Sequence, residues 1–147
     1  DEVIDGNLKS AFLAAKTLAP KLAEGGAMVL TGSGLGHFVR PGYGPYAISK
    51  AGIAALTRQL ALEMAPRLRV NCVAPSAVDT AFLRGGTGRS DERERTALDI
   101  EAYARAIPMQ RIAQPADVVG PMLFLLSDAA AYMTGQVLHV NGGAYMP

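Results

Sequence analysis

The sequence predicts an α/β fold in which helices cover a parallel sheet. Segments whose apolar residues recur near the 3.6-residue helical period alternate with short, continuously apolar segments typical of strands buried on both faces. The connections between these short segments are long enough for crossovers, which parallel strands require. We therefore predict the order helix-strand-helix-strand-helix-strand within one domain.

Composition restricts the function classes. The chain has 147 residues, 50% of them hydrophobic and 18% charged, which suffices for one compact domain. Fourteen basic and thirteen acidic residues leave a net charge of +1, and there is no basic tract, so we expect neither a nucleic acid nor a membrane surface as partner. The longest apolar run, residues 118–126, is far shorter than the roughly 20 residues that span a bilayer. We expect a small-molecule or protein partner.

The single cysteine, Cys72, excludes an internal disulfide and cannot form a thiolate metal site alone. This cysteine usage fits a reducing, cytoplasmic location. The histidines, His37 and His139, lie in a loop and a strand without a second ligand at metal-binding spacing. We assign them neither a catalytic nor a metal-binding role.

The first predicted helix covers residues 1–23 and stops at the glycine pair 25–26. It begins at once, at Asp1 and without an initiator methionine, so we expect that the sequence starts inside a longer protein. Asn7 lies within this helix, where its amide competes for backbone groups. From the pattern alone, Asn7 is an exposed helix position.

A short apolar strand, residues 27–30, runs into the glycine-rich segment 31–36. Although this segment is similar to a dinucleotide pyrophosphate loop, such a loop opens directly into a helix, and two prolines and two glycines in residues 37–45 prevent that. A Gly-x-Ser-x-Gly nucleophile elbow also fails because Thr31 and Leu35 occupy its glycine positions. We predict that the loop presents Ser33 at the end of the strand.

The second helix is predicted to begin at Pro45 and to end before Pro66, and its apolar residues should be buried on two sides. Tyr46 and Lys50 lie four residues apart in this helix and share one face, so the Lys50 ammonium can favour the ionised phenol. Such a phenol can act as a proton donor or acceptor. A Tyr-x-x-x-Lys spacing is common by chance, and a packed tyrosine beside a solvated lysine is the alternative.

The next apolar segment, residues 69–75, is predicted to be a strand, and residues 76–80 leave its carboxyl end. Ligands of open α/β sheets bind at the carboxyl ends of strands, so Ser33 and residues 78–80 should flank one crevice that Tyr46 enters.

The remaining segments complete the predicted order. Residues 82–96 are charged and glycine-rich, a short helix is expected near 99–106, and we interpret 82–108 as a substrate lid. Pro115 starts the last helix, and residues 136–140 form the final strand.

Four separated motifs together resemble the short-chain dehydrogenase/reductase family, particularly its ketoreductase-like members. Ser33 lies thirteen residues before Tyr46, and residues 46–50 match the family's Tyr-x-x-Ser-Lys core. The other three motifs are the helix asparagine, the segment on the nicotinamide side of the cofactor, and the family tail. They correspond here to Asn7, to residues 71–75 with Val78 and Thr80, and to Arg111, Pro115, Asp117, residues 124–128, residues 134–135 and residues 141–143.

The resemblance implies a Rossmann-like doubly wound sheet, NAD or NADP as cofactor, and a role for each motif residue. Tyr46 would exchange a proton with a carbonyl or hydroxyl oxygen of an alcohol or carbonyl substrate. Lys50 would bind the nicotinamide ribose, Ser33 would hold the substrate oxygen, and Asn7 would position a water. The cofactor-binding set implied by the resemblance is Tyr46, Lys50, Pro75, Ser76, Val78 and Thr80.

The chain departs from the family in two ways. Ser76 stands where the family usually has glycine, which adds a β-carbon beside the cofactor. The family's first half, with its pyrophosphate loop and the residue that selects NAD or NADP, has no counterpart here, so the chain resembles the last three-fifths of a member. We therefore expect activity in the intact protein and none in residues 1–147 alone.

A non-catalytic Rossmann-fold binding or oligomerisation module is the alternative to an enzyme. The presence of all four family residues, Asn7, Ser33, Tyr46 and Lys50, favours the enzyme because a pure scaffold has no need of all four. The apolar faces of 1–23 and 45–65 also predict a homodimer or homotetramer.

Overall fold

A computed structural model describes residues 1–84 and 98–146 and confirms the predicted parallel α/β architecture. Strands β1 (Gly26–Thr31), β2 (Leu68–Pro75) and β3 (Val137–Val140) form one parallel sheet in the order β1-β2-β3. No helix in the described parts of the chain combines the length and hydropathy that a bilayer crossing needs.

The first helix, α1, is less regular than its apolar pattern predicts. It is α-helical over Glu2–Ile4 and Ser10–Leu18, but Asp5–Lys9 between them is a π-helix, and a 3₁₀ turn at Ala19–Lys21 ends it. The π-helical stretch contains Asn7. Single π-helical turns inside α-helices occur often at functional sites.

Helix α2 (Gly44–Met64) connects β1 to β2 and has proline in its first turn, as predicted. It packs against both β2 and α1. A β-carbon on Gly52 would lie 2.6 Å from a Leu8 side-chain atom, so the glycine permits close approach of the two helices. The predicted two-sided burial is incomplete, since Ile48 is 65% and Leu62 79% exposed.

Strand β2 is the centre of the core, as its continuous apolar run predicts. Helices cover both of its faces, which produces two hydrophobic clusters. The buried members of the first are Ala15, Leu60, Ala61 and Val70, and those of the second are Val73, Leu125 and Ala130.

Two arginines at the start of β2 satisfy carbonyl groups at helix ends. Arg67 donates hydrogen bonds to Ala19 O at 2.8 Å and to Leu22 O at 3.0 Å, beyond the end of α1. Arg69 donates to Leu125 O at 2.8 Å and to Ser127 O at 3.1 Å. Unpaired carbonyls at a helix end need such donors, so these arginines join helices to the sheet.

Helix α3 (Ile100–Ala106) is the predicted short helix, and the Asp99 carboxylate caps it by accepting a hydrogen bond from Ala102 N at 2.9 Å. The proposed lid, 82–108, is only partly described, because residues 85–97 lie outside the described ranges. Its role as a lid stays a prediction.

The last helix, α4 (Pro115–Leu126), connects to β3, and an ion pair fixes its start. Arg111 donates two hydrogen bonds to the Asp117 carboxylate, at 2.6 and 2.9 Å, and Gln114 N donates a third at 2.7 Å. The hydrogen bonds from Arg111, and to a smaller extent the one from Gln114, lower the pKa of Asp117 to about 2.

The two histidines, which the sequence leaves unrelated, are in contact. The His37 and His139 rings lie 4.7 Å apart in an edge-to-face arrangement, and Tyr145 packs against His139 with 5.5 Å between ring centroids. Partial burial is the main cause that lowers the pKa of each histidine. The charge of Arg58 lowers the pKa of His37 further, and the charge of His37 lowers that of His139 further. Within residues 1–84 and 98–146, nothing hydrogen-bonds to His139 Nδ1.

This contact predicts that the fold loses stability in acid. Because the folded pKa of each histidine is below its unfolded value of about 6.5, their neutral forms contribute stability above that pH. That stability is lost as the pH falls below about 6.5 through the folded pKa values. We expect His139→Phe to reduce the dependence of the unfolding free energy on pH, measured by urea denaturation between pH 7.5 and 5. An unchanged dependence in the variant would contradict this account.

Candidate active site

A cleft of about 740 Å³ opens at the carboxyl ends of β1 and β2, where the sequence predicts a crevice. Its wall combines the end of β1, the segment after β2, the first turns of α2 and the π-helical part of α1. The predicted site residues that line it are Asn7, Tyr46, Lys50, Pro75, Ser76, Val78 and Thr80. These seven residues, which lie up to 73 positions apart in the sequence, therefore meet in one cleft.

Tyr46 and Lys50 lie side by side in this wall. Lys50 Nζ is 5.7 Å from the Tyr46 ring centroid and donates a hydrogen bond to Thr31 O at 3.0 Å, at the end of β1. Desolvation lowers the pKa of the Lys50 ammonium, and the nearby Cys72 thiol opposes this shift. An ammonium has three N–H donors, and within residues 1–84 and 98–146 Lys50 uses one of them, on Thr31 O.

A close backbone contact fixes the position of Lys50. A β-carbon on Gly36 would lie 2.7 Å from the Lys50 carbonyl carbon, closer than real β-carbons approach. Gly36 ends the 3₁₀ turn Gly34–Gly36, which therefore lies directly against α2. The other two glycine residues after β1 make different contacts, because a β-carbon on Gly32 would lie 2.8 Å from Cys72 Sγ and one on Gly34 would lie 3.1 Å from a Phe38 ring carbon.

Ser33 lies beside the cleft but its side chain is not part of the described lining. It is 9% exposed and caps the 3₁₀ turn, its Oγ accepting a hydrogen bond from Leu35 N at 3.3 Å. Its neighbours Gly32 and Gly34 do line the cleft. The hydroxyl oxygen is thus engaged, while its proton remains a donor.

Asn7 is held by Ser49, which the sequence pattern alone does not identify as a site residue. The Asn7 amide nitrogen donates to Ser49 Oγ at 3.0 Å, and Ser49 Oγ donates to Tyr46 O at 2.7 Å. A hydroxyl has one proton, so Ser49 must accept from the Asn7 NH₂ group, and this fixes the orientation of the amide. Ser49 is fully buried. The only indication of this role in the sequence is the position of Ser49 in the Tyr-x-x-Ser-Lys motif.

The segment after β2 presents backbone groups to the cleft. Ala113 pairs with Val78 by donating to Ala77 O at 3.1 Å and accepting from Asp79 N at 2.8 Å. In this parallel pattern the N–H and C=O of Val78 itself point away from Ala113. Thr80 Oγ1 donates to Val78 O at 3.4 Å, and within residues 1–84 and 98–146 no group accepts a hydrogen bond from the Val78 N–H.

Comparison with known proteins identifies the family. A family model described as enoyl-(acyl carrier protein) reductase matches residues 1–145. The chain belongs to the short-chain dehydrogenase/reductase family. This family consists of oxidoreductases that use NAD or NADP in general.

Among relatives of the chain, human dehydrogenase/reductase SDR family member 4 is 35% identical over 146 residues, which cover 97% of this chain and 50% of that protein. The 3-oxoacyl-(acyl-carrier-protein) reductase FabG of Staphylococcus aureus is 37% identical over 149 aligned positions, covering 99% of this chain and 57% of that protein. The chain therefore spans about half the length of these relatives.

Solved structures show the same fold. Ligand-free aldohexose dehydrogenase of Thermoplasma acidophilum superimposes with a TM-score of 0.84 at 31% identity, over 98% of this chain and 59% of that one. A dehydrogenase/reductase of Sinorhizobium meliloti gives a TM-score of 0.85 at 32% identity, over 99% of this chain and 55% of that one.

The residues present fit the nicotinamide half of the family's cofactor. Lys50 and Val78 both line the cleft, and the Lys50 ammonium and the Val78 N–H are donors to which hydroxyl and carboxamide oxygens can bond. Over residues 1–84 and 98–146, no group of three or more His, Cys, Asp or Glu side chains is placed to hold a metal.

The Ser49 bridge predicts energetic coupling between the two helices. Ser49→Ala removes the acceptor of the Asn7 amide and should lower the unfolding free energy by about 1–3 kcal/mol. Thr17→Ala removes an exposed hydroxyl from α1 and is the control, which should change the unfolding free energy by less than about 0.5 kcal/mol. In a double-mutant cycle measured by chemical denaturation, Ser49→Ala and Asn7→Ala should be non-additive. Strict additivity would mean that the bridge is absent in solution.

Proposed function

We propose that the complete protein interconverts an alcohol and a ketone or aldehyde by hydride transfer, with NAD or NADP as cofactor. The observation that carries the proposal is the Tyr46 phenol beside the partly desolvated Lys50 ammonium, in a cleft at the carboxyl end of a parallel sheet. When bound, the nicotinamide supplies or accepts the hydride. The protein must then exchange a proton with the substrate oxygen.

Tyr46 is the proposed general acid and base. Hydride addition to a carbonyl carbon develops negative charge on oxygen, which must receive a proton. The Tyr46 phenol would donate this proton during reduction and accept it during oxidation. Ser33 has its hydroxyl proton available and would hold the substrate oxygen. Asn7, oriented by Ser49, would position a water that returns the proton from solvent.

The cofactor-binding residues divide between α2 and the segment after β2. Lys50 would bind the nicotinamide ribose with the donors that Thr31 leaves free. Val78, through its backbone N–H, and Thr80 would hold the carboxamide, and Pro75 and Ser76 would pack against the nicotinamide ring. A non-catalytic module would not require a phenol and an ammonium held together in this cleft.

We further propose that residues 1–147 alone are inactive. Within the described residues, β1 pairs only with β2, which leaves its other edge open. Open edges invite association with other chains, and residues that would hold the rest of the dinucleotide have no counterpart in this sequence.

Exchange of the phenol for a phenyl ring tests the proposed chemistry. In the complete protein, Tyr46→Phe should lower kcat for ketone reduction at least 100-fold, since general acid catalysis contributes about 10²–10⁴-fold. The variant should still bind NAD(P)H, because Lys50, Val78 and Thr80 would hold the nicotinamide half without the phenol hydroxyl. The fully exposed Tyr132→Phe should match the wild type. The absorbance of NAD(P)H measures kcat, and fluorescence titration measures NAD(P)H binding. A Tyr46→Phe variant that turns over at the wild-type rate would show that Tyr46 is not the general acid.

We also propose a homo-oligomer assembled through α1 and α2. Five apolar side chains on these helices are about half or more exposed, and burial of such surface drives association. They are Phe12, Leu13, Leu18, Ile48 and Leu62.

This proposal predicts the behaviour of the complete protein in sedimentation. At micromolar concentration it should sediment as a dimer or tetramer, and Phe12→Asp with Leu62→Asp should shift it towards the monomer because a charge would be buried in the interface. Lys9→Asp, a charge change at an exposed polar position of α1, is the control and should not alter the mass. A wild-type monomer would overturn the proposal.

A further inference from the structure

A cationic side chain with no assigned role lines the cleft. Arg40 lies in the loop before α2 and is exposed to solvent in the cleft wall. We propose that the substrate carries an oxyanion, such as a carboxylate, at a distance from its reacting carbonyl, and that Arg40 binds it. This inference rests on the proposed function, because it names a class of substrate for the same cleft.

Aromatic rings from two elements hold the Arg40 guanidinium. Its central carbon lies 5.5 Å from the ring centroid of Phe38, in the same loop, and 5.9 Å from that of Tyr103, on α3. Contact with ring faces orients a guanidinium but leaves its in-plane N–H groups as donors. Those donors form the planar fork that matches a carboxylate or phosphate.

Among the residues that the structure describes, no group of the protein pairs with these donors. In the two described ranges, no carboxylate forms an ion pair with Arg40 and no oxygen atom accepts a hydrogen bond from its guanidinium. The charged residues in the described lining are Arg40 and Lys50, which are both cationic. A cleft with charges of one sign and apolar walls attracts the opposite charge.

The rest of the lining indicates the shape of the substrate. Arg40 precedes Tyr46 by six residues, and the apolar side chains of Leu35, Phe38 and Phe82 line the same cleft. A substrate whose carbonyl lies at Tyr46 and whose oxyanion lies at Arg40 would place an apolar body against these side chains. The proposed class is therefore an oxo or hydroxy acid with a hydrocarbon body.

The test compares acids with matched neutral esters. Methyl ketones with a terminal carboxylate, in a series of chain lengths, and their methyl esters are assayed with the complete protein and NAD(P)H. At the best length, the wild type should favour the acid at least tenfold in kcat/KM, because a carboxylate forms charge-assisted hydrogen bonds with a guanidinium and an ester does not. Arg40→Met should lose this preference while its kcat/KM for the ester stays within about twofold of the wild type.

Two further variants control for charge and packing. Arg40→Lys should recover only part of the preference, because an ammonium lacks the planar fork. Arg105→Met removes a guanidinium from α3 that pairs with Glu101 outside the cleft lining, and it should retain the full preference. The Kd of NAD(P)H should be the same in all variants.

Three results would overturn the inference. These are equal wild-type activity on acid and ester, equal losses on both substrates in Arg40→Met, and weaker NAD(P)H binding in that variant. The second result would mean that Arg40 only packs α3 against the loop, and the third that it binds the cofactor. If the wild type reduces no ketone at all, the proposed function fails instead. In that case, calorimetric titration of the NAD(P)-loaded wild type and Arg40→Met with the acid and with the ester still tests whether Arg40 binds the oxyanion.

Discussion

The hydrogen bond from Lys50 Nζ to Thr31 O connects α2 to the carboxyl end of β1. It joins a helix side chain to the last residue of a strand, across nineteen positions of sequence. The 3₁₀ turn after β1 also packs directly on α2, because Gly36 lies against the Lys50 backbone. Because Tyr46 lies one turn earlier on α2, the phenol is placed at the carboxyl edge of the sheet, where an α/β fold binds its ligand.

The parts of the fold that could be predicted depend on local patterns. Continuous apolar runs identify β1 and β2, and Pro45 identifies the start of α2, because burial on both faces and a fixed proline φ act within a few residues. The i, i+4 relation of Tyr46 and Lys50 is equally local, so their adjacency follows once the helix is known. The family resemblance adds the roles that spacing alone leaves open.

The parts that could not be predicted depend on contacts between distant segments. The Asn7–Ser49 bridge spans 42 positions, and the His37–His139 contact joins a loop to the last strand. A π-helical turn is also invisible to a 3.6-residue pattern, so the local backbone at Asn7 was missed. Ser33 was correctly placed after β1, but its burial and its bond to Leu35 N result from the turn that follows.

A crystal structure of the complete protein with NAD(P) and a bound alcohol product tests the central claim most directly. The account predicts the product oxygen within about 3 Å of the Tyr46 hydroxyl, the usual reach of a general acid. It also predicts the Lys50 ammonium hydrogen-bonded to the nicotinamide ribose. A nicotinamide ring outside this cleft, or a Tyr46 hydroxyl turned away from the product oxygen, would contradict the account.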